Sequence, residues 1–445
     1  MPEARSGPRL EAKSLPGPDT ILRRQLANGV VVLARENFSS PSVVLSGYTV
    51  AGALHEPESQ AGLAHLTASC LMRGTRRRTF QEIYEAIESI GASVSFSGGK
   101  HTTSFQGKAL AEDLPRLMEV LADAVRHPAF PAREVERVKA EKLTSIAIRD
   151  QDTGAVAGLE FDRLAYPDHP YRLPVEGMRE TVSRLNVGDV SSFHRRTYGP
   201  RGMVVAIVGA VRRKAAVDAV EAALGEWTHP SQPAEPELPR LPPLKGVVRQ
   251  DRVLEGKSQC DIVLGVPGPS RFDPDYLAAA LGNNILGRFG MYGRIGDAVR
   301  EDAGLAYYAY SALTGGPGPG PWSVLAGVNP ANVERALELI RAEIGRFIGR
   351  RVTPIELKEN QANFIGRLPL QLESNEGVAN ALVNMERYRL GLDYYVRYAD
   401  KVSAITRDQV LDTAKRFLSP DRLAIAVAGP ALSNVEGPAL RGDGV

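Results

Sequence analysis

Apolar positions in the first half of the chain alternate with polar ones in short runs and recur every three to four positions in longer ones. The short runs are typical of strands and the longer spacing is typical of helices. Strands are therefore predicted at residues 42–51, 93–96 and 102–109, and helices at 62–73, 80–90, 114–125 and 132–149. Asn28-Gly29 predicts a tight hairpin turn because these residues tolerate positive φ, and Thr79 is a suitable N-cap for the helix that follows it.

The second half of the chain repeats this mixture. Strands are predicted at residues 261–266, 305–312 and 322–328, with a helix at 276–286 and further helices from 332 to about 390. In both halves the helices are grouped instead of alternating strictly with strands. Each half is therefore predicted to be α+β, with antiparallel strands.

The two halves end alike, which indicates an internal duplication. Val182-Ser183-Arg184-Leu185 has a counterpart in Val402-Ser403-Ala404-Ile405, a separation of 220 residues (402 − 182). Each copy then predicts a helix, a proline turn and a buried strand, at 203–208 and 423–428. The same separation relates further identical pairs: Val190 and Val410, Arg196 and Arg416, Pro200 and Pro420, Ala206 and Ala426, Gly209 and Gly429.

Prolines mark the boundary between the halves. The segment from Trp227 to Lys245 contains Pro230, Pro233, Pro236, Pro239, Pro242 and Pro243. Because proline fixes φ and removes a backbone donor, such a run favours an extended linker. The predicted organisation is a flexible leader (1–20), an N-terminal domain (21–228), a proline-rich linker (229–245), a C-terminal domain (246–432) and a tail (433–445).

Composition narrows the class of protein. The chain has 445 residues, of which 43% are hydrophobic and 24% charged, with a net charge of +2. These values are ordinary for a globular protein and give no reason to expect nucleic-acid or membrane partners. Cys70 and Cys260 lie in different halves outside any Cys/His cluster, which fits a reducing compartment. No export signal or membrane span of about 18 apolar residues is visible, so a cytoplasmic location is expected.

The predicted helix at 62–73 has the frame of an inverted zinc motif, His-x-x-Glu-His, without most of its functional residues. His65 occupies the first histidine position, Ala68 the glutamate position and Ser69 the second histidine position. The motif needs two imidazoles at i and i+4 to reach one metal ion, and a glutamate to activate the bound water. A chain that keeps the frame and lacks the ligands is expected to be an enzyme's partner.

Several segments together carry a resemblance to a known family. They are Leu26-Ala27-Asn28-Gly29, Gly62-Leu63-Ala64-His65, Met72-Arg73-Gly74-Thr75, the stretch Ala298 to Tyr307, Gly316 to Trp322, and Gly327-Val328-Asn329-Pro330. The chain resembles the pitrilysin/insulinase-like zinc metallopeptidases, which include the processing-peptidase subunits, over residues 21–430. The resemblance implies two homologous α/β sandwich domains, each a mostly antiparallel sheet packed with helices, forming half of a clamshell.

The same resemblance locates a third zinc ligand, a glutamate on a later helix, at Thr144 or Ser145. Neither side chain can replace a carboxylate, and the other histidines show no i, i+4 pairing. Catalytic zinc sites use three protein ligands, so His65 alone is insufficient. We therefore expect degenerate zinc-site positions at His65, Ala68, Ser69, Thr144 and Ser145, no cofactor on this chain, and zinc in a partner subunit.

Arg300 and Tyr307 are seven residues apart (307 − 300) in the second half. In the family, such a pair faces the zinc across a closed chamber, holds the substrate backbone and stabilises the oxyanion. Guanidinium and phenol donors suit a developing negative oxygen. The alternatives are that Arg300 is a cation at a helix C-terminus and that Tyr307 is a core aromatic of a strand. Strand alternation places Tyr308 on the opposite face.

Two glycine-rich stretches have open interpretations. Gly282–Gly296 lacks the Gly-Lys-Ser/Thr ending of a phosphate-binding loop, so it is expected either to border the substrate path, as in the family, or to allow close packing of a helix. Residues 315–321 alternate glycine and proline and predict a loop.

The resemblance implies a non-catalytic, substrate-binding subunit of a heterodimeric zinc peptidase acting on unfolded peptides. The homologous partner would carry the intact motif, and its zinc-bound water would attack the peptide carbonyl. One alternative is a structural or peptide-binding protein with no role in hydrolysis. Another is a zinc peptidase that acts alone through a rearranged site.

Overall fold

The structure is a computed structural model that describes residues 15–290 and 293–432. The predicted tail and all of the predicted leader except residues 15–20 lie outside these ranges. Within them the strands are β1 Leu22–Gln25, β2 Val31–Glu36, β3 Ser42–Thr49, β4 Ser93–Gly98, β5 Thr103–Leu110, β6 Val204–Gly209, β7 Val248–Val253, β8 Cys260–Pro267, β9 Ala306–Leu313, β10 Pro321–Val328 and β11 Ala424–Gly429.

The helices carry most of the connections between these strands. In the described ranges they are α1 Leu63–Cys70, α2 Phe80–Glu88, α3 Leu114–Arg126, α4 Ala132–Arg149, α5 Thr153–Ala165, α6 Arg179–Val182, α7 Val187–Thr197, α8 Arg213–Leu224, α9 Tyr276–Gly287, α10 Gly293–Gly296, α11 Val333–Gly349, α12 Pro354–Gln371, α13 Asn375–Arg387, α14 Tyr398–Ser403 and α15 Arg407–Phe417. No helix in these ranges combines the length and apolar composition needed to cross a bilayer.

Most predicted elements are confirmed with small shifts at their ends. Helix α4 has the predicted bounds, and Thr79 caps α2 through a reciprocal capping box with Glu82. Strand β7 was not predicted, because its sequence is largely polar and every one of its residues is exposed. Helix α5 was also missed, because Gly154 and Gly158 interrupt its helical pattern.

The first compact unit contains residues 15–147, Leu173–Leu238 and Ala362–Ala404. Its sheet has the strand order β1-β2-β6-β3-β5-β4. Strands β2 and β6 are parallel, and the remaining neighbours are antiparallel. The sheet is therefore mixed, with β4 as an edge strand.

Both faces of this sheet are covered along its centre. In β2, Val32 and Ala34 join the core formed with α1, α3 and α8, whereas Val31 and Leu33 join a second core with α13. Burial on two faces explains why β2 is a continuous apolar run and not an alternating one.

Helix α1 is positioned by backbone geometry and by one half-buried carboxylate. Gly62 precedes it with φ 102°, a left-handed conformation that favours glycine. Glu56 accepts hydrogen bonds from the amides of Gly62 (2.9 Å) and Ala64 (2.6 Å), and so caps the helix start. Burial raises the pKa of Glu56 to about 7. At Gly98 of β4 an added Cβ would lie 2.7 Å from the His65 Cα, so α1 approaches this edge strand closely.

The second compact unit contains Ile148–Arg172, Pro239–Gln361 and residues 405–432. Its sheet has the order β7-β11-β8-β10-β9, with β7 and β11 parallel and the other neighbours antiparallel. This order reproduces β2-β6-β3-β5-β4 of the first unit strand for strand. The predicted fold class and internal duplication are confirmed.

Corresponding helices complete the two sheets. Helix α13 packs on β3 and β6 of the first unit, and α5 packs on the equivalent strands β8 and β11 of the second. The two units are interleaved along the sequence as a result, since α5 comes from the first half of the chain and α13 from the second.

Candidate functional site

His65 lies in the first unit on α1, facing the edge strand β4 and helix α4. Its Nδ1 is 3.2 Å from the carbonyl oxygen of Gly98. Because a carbonyl only accepts, Nδ1 must carry the proton, and Nε2 is left with a lone pair. This is the tautomer in which a histidine binds a metal through Nε2.

The Nε2 lone pair is occupied by a lysine. The Lys142 Nζ on α4 lies 2.8 Å from His65 Nε2 and donates a hydrogen bond to it. Burial, followed by the charge of Lys142, lowers the pKa of His65, and burial lowers the pKa of Lys142. The two groups therefore favour a neutral imidazole that accepts from the lysine.

The other motif positions on α1 face their own backbone or the core. Ala68 is buried and has no polar atom beyond its backbone. The Ser69 hydroxyl donates to the carbonyl of His65 within the same helix, at 2.9 Å. Neither residue offers a side-chain ligand next to the His65 ring.

The residues at the predicted third-ligand positions on α4 also form hydrogen bonds within their own helix. The Thr144 hydroxyl donates to the carbonyl of Ala140 (3.0 Å), and the Ser145 hydroxyl donates to that of Glu141 (3.1 Å). Both residues are exposed. The Glu141 carboxylate accepts from Arg137 at 3.2 Å and is 3.5 Å from Arg73, so it is held by arginines and not directed at His65.

These residues do not fit a zinc ion. A catalytic zinc site needs three protein ligands, and the described residues contain no group of three or more His, Cys, Asp or Glu side chains placed to hold a metal. Next to His65, the nearest charged donor is an amine that competes for the ligand lone pair.

Arg300 and Tyr307 lie in the second unit at the start of its edge hairpin. Arg300 belongs to the π-helical turn Asp297–Glu301 that follows α10; such turns recur at functional sites. Its side chain is 30% exposed, and its Nε is 3.7 Å from the Glu301 carboxylate.

Tyr307 is 83% exposed near the start of the edge strand β9. The interpretation of Tyr307 as a core aromatic is therefore wrong. Tyr308 points the other way, as alternation predicts, and its hydroxyl donates to the Asp261 carboxylate at 2.5 Å. Tyr308 is held inside the unit, whereas the Tyr307 phenol is presented to solvent.

The glycines flanking α9 are explained in part by packing. A Cβ added at Gly287 would lie 2.2 Å from the Ser311 amide nitrogen of β9, so helix and strand approach too closely for any side chain there. Gly293 has φ 62°, a conformation that favours glycine. Within the predicted stretch, residues 291 and 292 lie outside the described ranges. Residues 315–320 form the predicted loop.

Lys142 is the residue of this site that sequence reasoning missed. It lies three positions before Ser145, so both belong to the same face of α4. A basic residue one turn from the expected carboxylate was the available signal. This signal could be interpreted only once the Lys142 side chain was known to reach His65.

The fold and its duplication together define the class of protein: two α+β units with the same core strand order. Insulinase (peptidase family M16) matches residues 31–165, and the peptidase M16 inactive domain matches residues 184–364. The chain belongs to this insulinase family, peptidase family M16.

Relatives span nearly the whole chain. An uncharacterized zinc protease of Streptomyces coelicolor is 27% identical over 420 residues, covering 93% of this chain and 90% of the relative. An uncharacterized zinc protease of Mycobacterium leprae is 28% identical over 417 residues, covering 93% and 92%. The crystal structure of a peptidase M16 inactive domain from Pseudomonas fluorescens matches with a TM-score of 0.84 and 26% identity, over 92% of this chain and 98% of that one.

A second solved structure supports the fold alone. A protease from Helicobacter pylori matches with a TM-score of 0.84 at 18% identity, over 92% of this chain and 99% of that chain. The architecture is therefore retained in a protein whose sequence is very different.

Proposed function

We propose that this chain is the non-catalytic, substrate-binding subunit of a heterodimeric insulinase-type zinc peptidase. The partner is expected to be a homologous chain with an intact His-x-x-Glu-His motif. The observation that carries the proposal is the hydrogen bond from Lys142 Nζ to His65 Nε2, at 2.8 Å. It uses the lone pair that a zinc ion would need.

The charge of this contact supports the same conclusion. A protonated lysine amine beside the imidazole repels a divalent cation, and Lys142 must be displaced before His65 can bind a metal. Ala68 and Ser69 supply no second ligand on α1. An unpaired buried charge would be costly, but Lys142 keeps both its partner and partial exposure, so the arrangement is stable without a metal.

The second part of the proposal is that Arg300 and Tyr307 contact the peptide substrate. Both present donors: a guanidinium that is 30% exposed and a phenol on a residue that is 83% exposed. Donors of this kind stabilise the negative charge that develops on a peptide carbonyl oxygen during hydrolysis. The edge position of β9 suits a peptide in extended form. Unfolded peptides are accordingly the proposed substrates.

A structural or peptide-binding role without hydrolysis is the second candidate. The same lysine-filled site supports it, because nothing about the Lys142 contact requires a catalytic partner. The two proposals differ in what Arg300 and Tyr307 do, and in whether a partner with the intact motif exists.

The first experiment is purification of the full chain from its native cell, followed by identification of the bound proteins and zinc analysis. We expect a homologous chain with His-x-x-Glu-His in stoichiometric amount, zinc in the complex, and peptide cleavage only by the complex. A metal-free complex with no such partner would favour the structural role. Stoichiometric zinc and cleavage by the isolated chain would overturn both proposals.

The second experiment tests the clamp within the assembled complex. Arg300→Ala and Tyr307→Phe are each expected to lower kcat/KM by roughly 10²–10³, the scale for loss of one oxyanion donor. Arg335→Ala and Tyr84→Phe are matched controls, because Arg335 on α11 and Tyr84 on α2 are exposed residues of the same types. Full activity in both clamp variants would contradict the assignment.

We also propose a reducing, cytoplasmic location. Cys70 and Cys260 are both free and buried, and burial raises the pKa of the Cys70 thiol to about 12, which keeps it protonated and unreactive. Fractionation of the native cell with antibody detection tests this location.

A further inference from the structure

A cavity of about 450 Å³ lies in the first unit, away from His65 and Lys142. It forms where the C-terminal ends of α3 and α7 meet the segment after α8 and the loop between α1 and α2. Three arginines and three histidines line it: Arg76, Arg126, Arg195, His127, His194 and His229. No aspartate or glutamate is among the lining residues.

Two of these side chains donate hydrogen bonds to backbone carbonyls near helix ends. The Arg126 Nη1 donates to the carbonyl of Ala223 in the last turn of α8, at 2.7 Å. His194 Nε2 lies 2.8 Å from the carbonyl of Val125 and donates to it. Basic side chains near exposed carbonyls are a common way to satisfy helix C-termini. These contacts explain why Arg126 and His194 lie here.

Two polar side-chain atoms of the cavity have no partner in the part of the chain that the structure describes. The Arg126 Nε and the His229 Nδ1 are buried and have no hydrogen-bond partner among the described residues. The Arg76 backbone is fixed by a hydrogen bond from its amide to the carbonyl of His127, at 2.9 Å, which holds its side chain at the mouth of the cavity. Buried polar atoms are normally satisfied and a guanidinium only donates, so the Arg126 Nε points to a missing acceptor.

The Asp123 carboxylate is hydrogen-bonded through one of its oxygens to residues outside the cavity lining. Asp123 accepts from Thr75 at 2.7 Å and from Arg78 at 2.9 Å, and its other oxygen is 3.6 Å from His127 Nδ1. Asp123 does not line the cavity. Among the described residues, no carboxylate therefore lines this cavity, although Arg126 and His127 also border a neighbouring cavity lined by Glu119, Asp123 and Glu226.

We propose that this cavity binds a small phosphate-bearing anion. Arginine side chains pair with phosphate oxygens through parallel donors, and the volume suits a small ligand. Phe130, Tyr198 and Trp227 provide an aromatic wall beside the cations. The site shares no lining residue with the positions of the degenerate zinc site, so its occupant is expected to be a regulator or stabiliser instead of a peptide.

Inorganic pyrophosphate is the probe for a direct test by titration calorimetry and thermal melting on the full chain. We expect one site per chain and a rise in Tm with pyrophosphate concentration. The double variant Arg76→Gln/Arg195→Gln changes two exposed side chains and is expected to weaken binding at least tenfold. Arg24→Gln, at an exposed arginine of β1, is the control and should change the affinity less than twofold.

Three outcomes would overturn the proposal. They are no saturable binding to the wild-type chain, equal weakening by the control and the double variant, and unchanged affinity in the double variant. Equal weakening would show that pyrophosphate is attracted to basic side chains across the surface and not to this cavity. Far-UV circular dichroism of each variant separates loss of the site from loss of the fold.

Discussion

The two units share a strand order and a helix arrangement. Equivalent pairs of helices are nevertheless linked by different kinds of side-chain contact. In the first unit, α1 is joined to α4 by the His65–Lys142 pair, which is ionisable and only half-buried. In the second, α9 is joined to α12 by the buried amides of Asn284 and Asn360, at 2.6 Å.

The difference is between two neutral amides that satisfy each other and an imidazole that pairs with an amine. Buried neutral amides that satisfy each other fix a packing arrangement. Asn360 also donates to the carbonyl of Glu356 at 2.8 Å, and Ser311 of β9 donates to Asn283 of α9 at 2.5 Å. The second unit therefore closes this position completely, whereas the first keeps a partly accessible imidazole.

The largest expected effect is a loss of folding stability. It tests whether the two sheets depend equally on the helices that cover them. Phe161→Ala in α5 should lower the free energy of unfolding by about 3–5 kcal/mol, and Leu382→Ala in α13 by about 2–5 kcal/mol, since both side chains are buried. Glu359→Ala, at an exposed position, should stay within about 0.5 kcal/mol. Chemical denaturation measures all three, and a near-zero value for either core variant would break the symmetry of the comparison.

The next prediction asks whether a metal site can be built around His65 in the first unit. Ala68→Glu, Ser69→His and Ser145→Glu together supply the missing groups next to His65. Zinc should bind about 10–100-fold more tightly when Lys142→Ala is added, a typical range for groups that tune a ligand. Calorimetry with zinc measures the ratio. Equal affinities with and without Lys142 would show that the lysine does not compete for His65.

A smaller effect separates the two polar contacts directly. Asn360→Ala should cost about 1–3 kcal/mol of stability, because it leaves the buried amide of Asn284 without this partner. Lys142→Met should cost less than about 1 kcal/mol, since the lysine is half-exposed and His65 can accept from water instead. Urea denaturation of both variants provides the numbers. A larger loss in Lys142→Met would mean that the His65 contact is structural too.

The smallest effect is a shift in titration. The charge of Lys142 is one cause of the lowered pKa of His65, so this pKa should rise in Lys142→Met. When folding lowers the pKa of a histidine, the unfolded chain takes up the proton first as the pH falls below the unfolded pKa of about 6.5. The folded protein therefore loses stability in that pH range. NMR of the imidazole carbon-bound protons would show the rise. His194, whose pKa burial lowers to about 4, should not move and is the internal reference.

Sequence reasoning was strong where a pattern could be read directly from the sequence, either in a short segment or as a repeat. The constant separation of 220 residues predicted the duplication, and Asn28-Gly29 predicted the hairpin between β1 and β2. It failed at β7, where parallel pairing with β11 makes a strand from a largely polar sequence. Pairing of this kind depends on residues that are far apart in sequence, so no local pattern reports it.

The sequence by itself determined that positions 68 and 69 carry no histidine or carboxylate, because they are Ala68 and Ser69 whatever the fold. It also determined the spacing of Arg300 and Tyr307 and the resemblance to the insulinase family. Only the tertiary structure decided which group contacts the His65 imidazole. Lys142 is 77 residues from His65 along the chain, and the packing of α1 and α4 brings their nitrogen atoms within hydrogen-bonding distance.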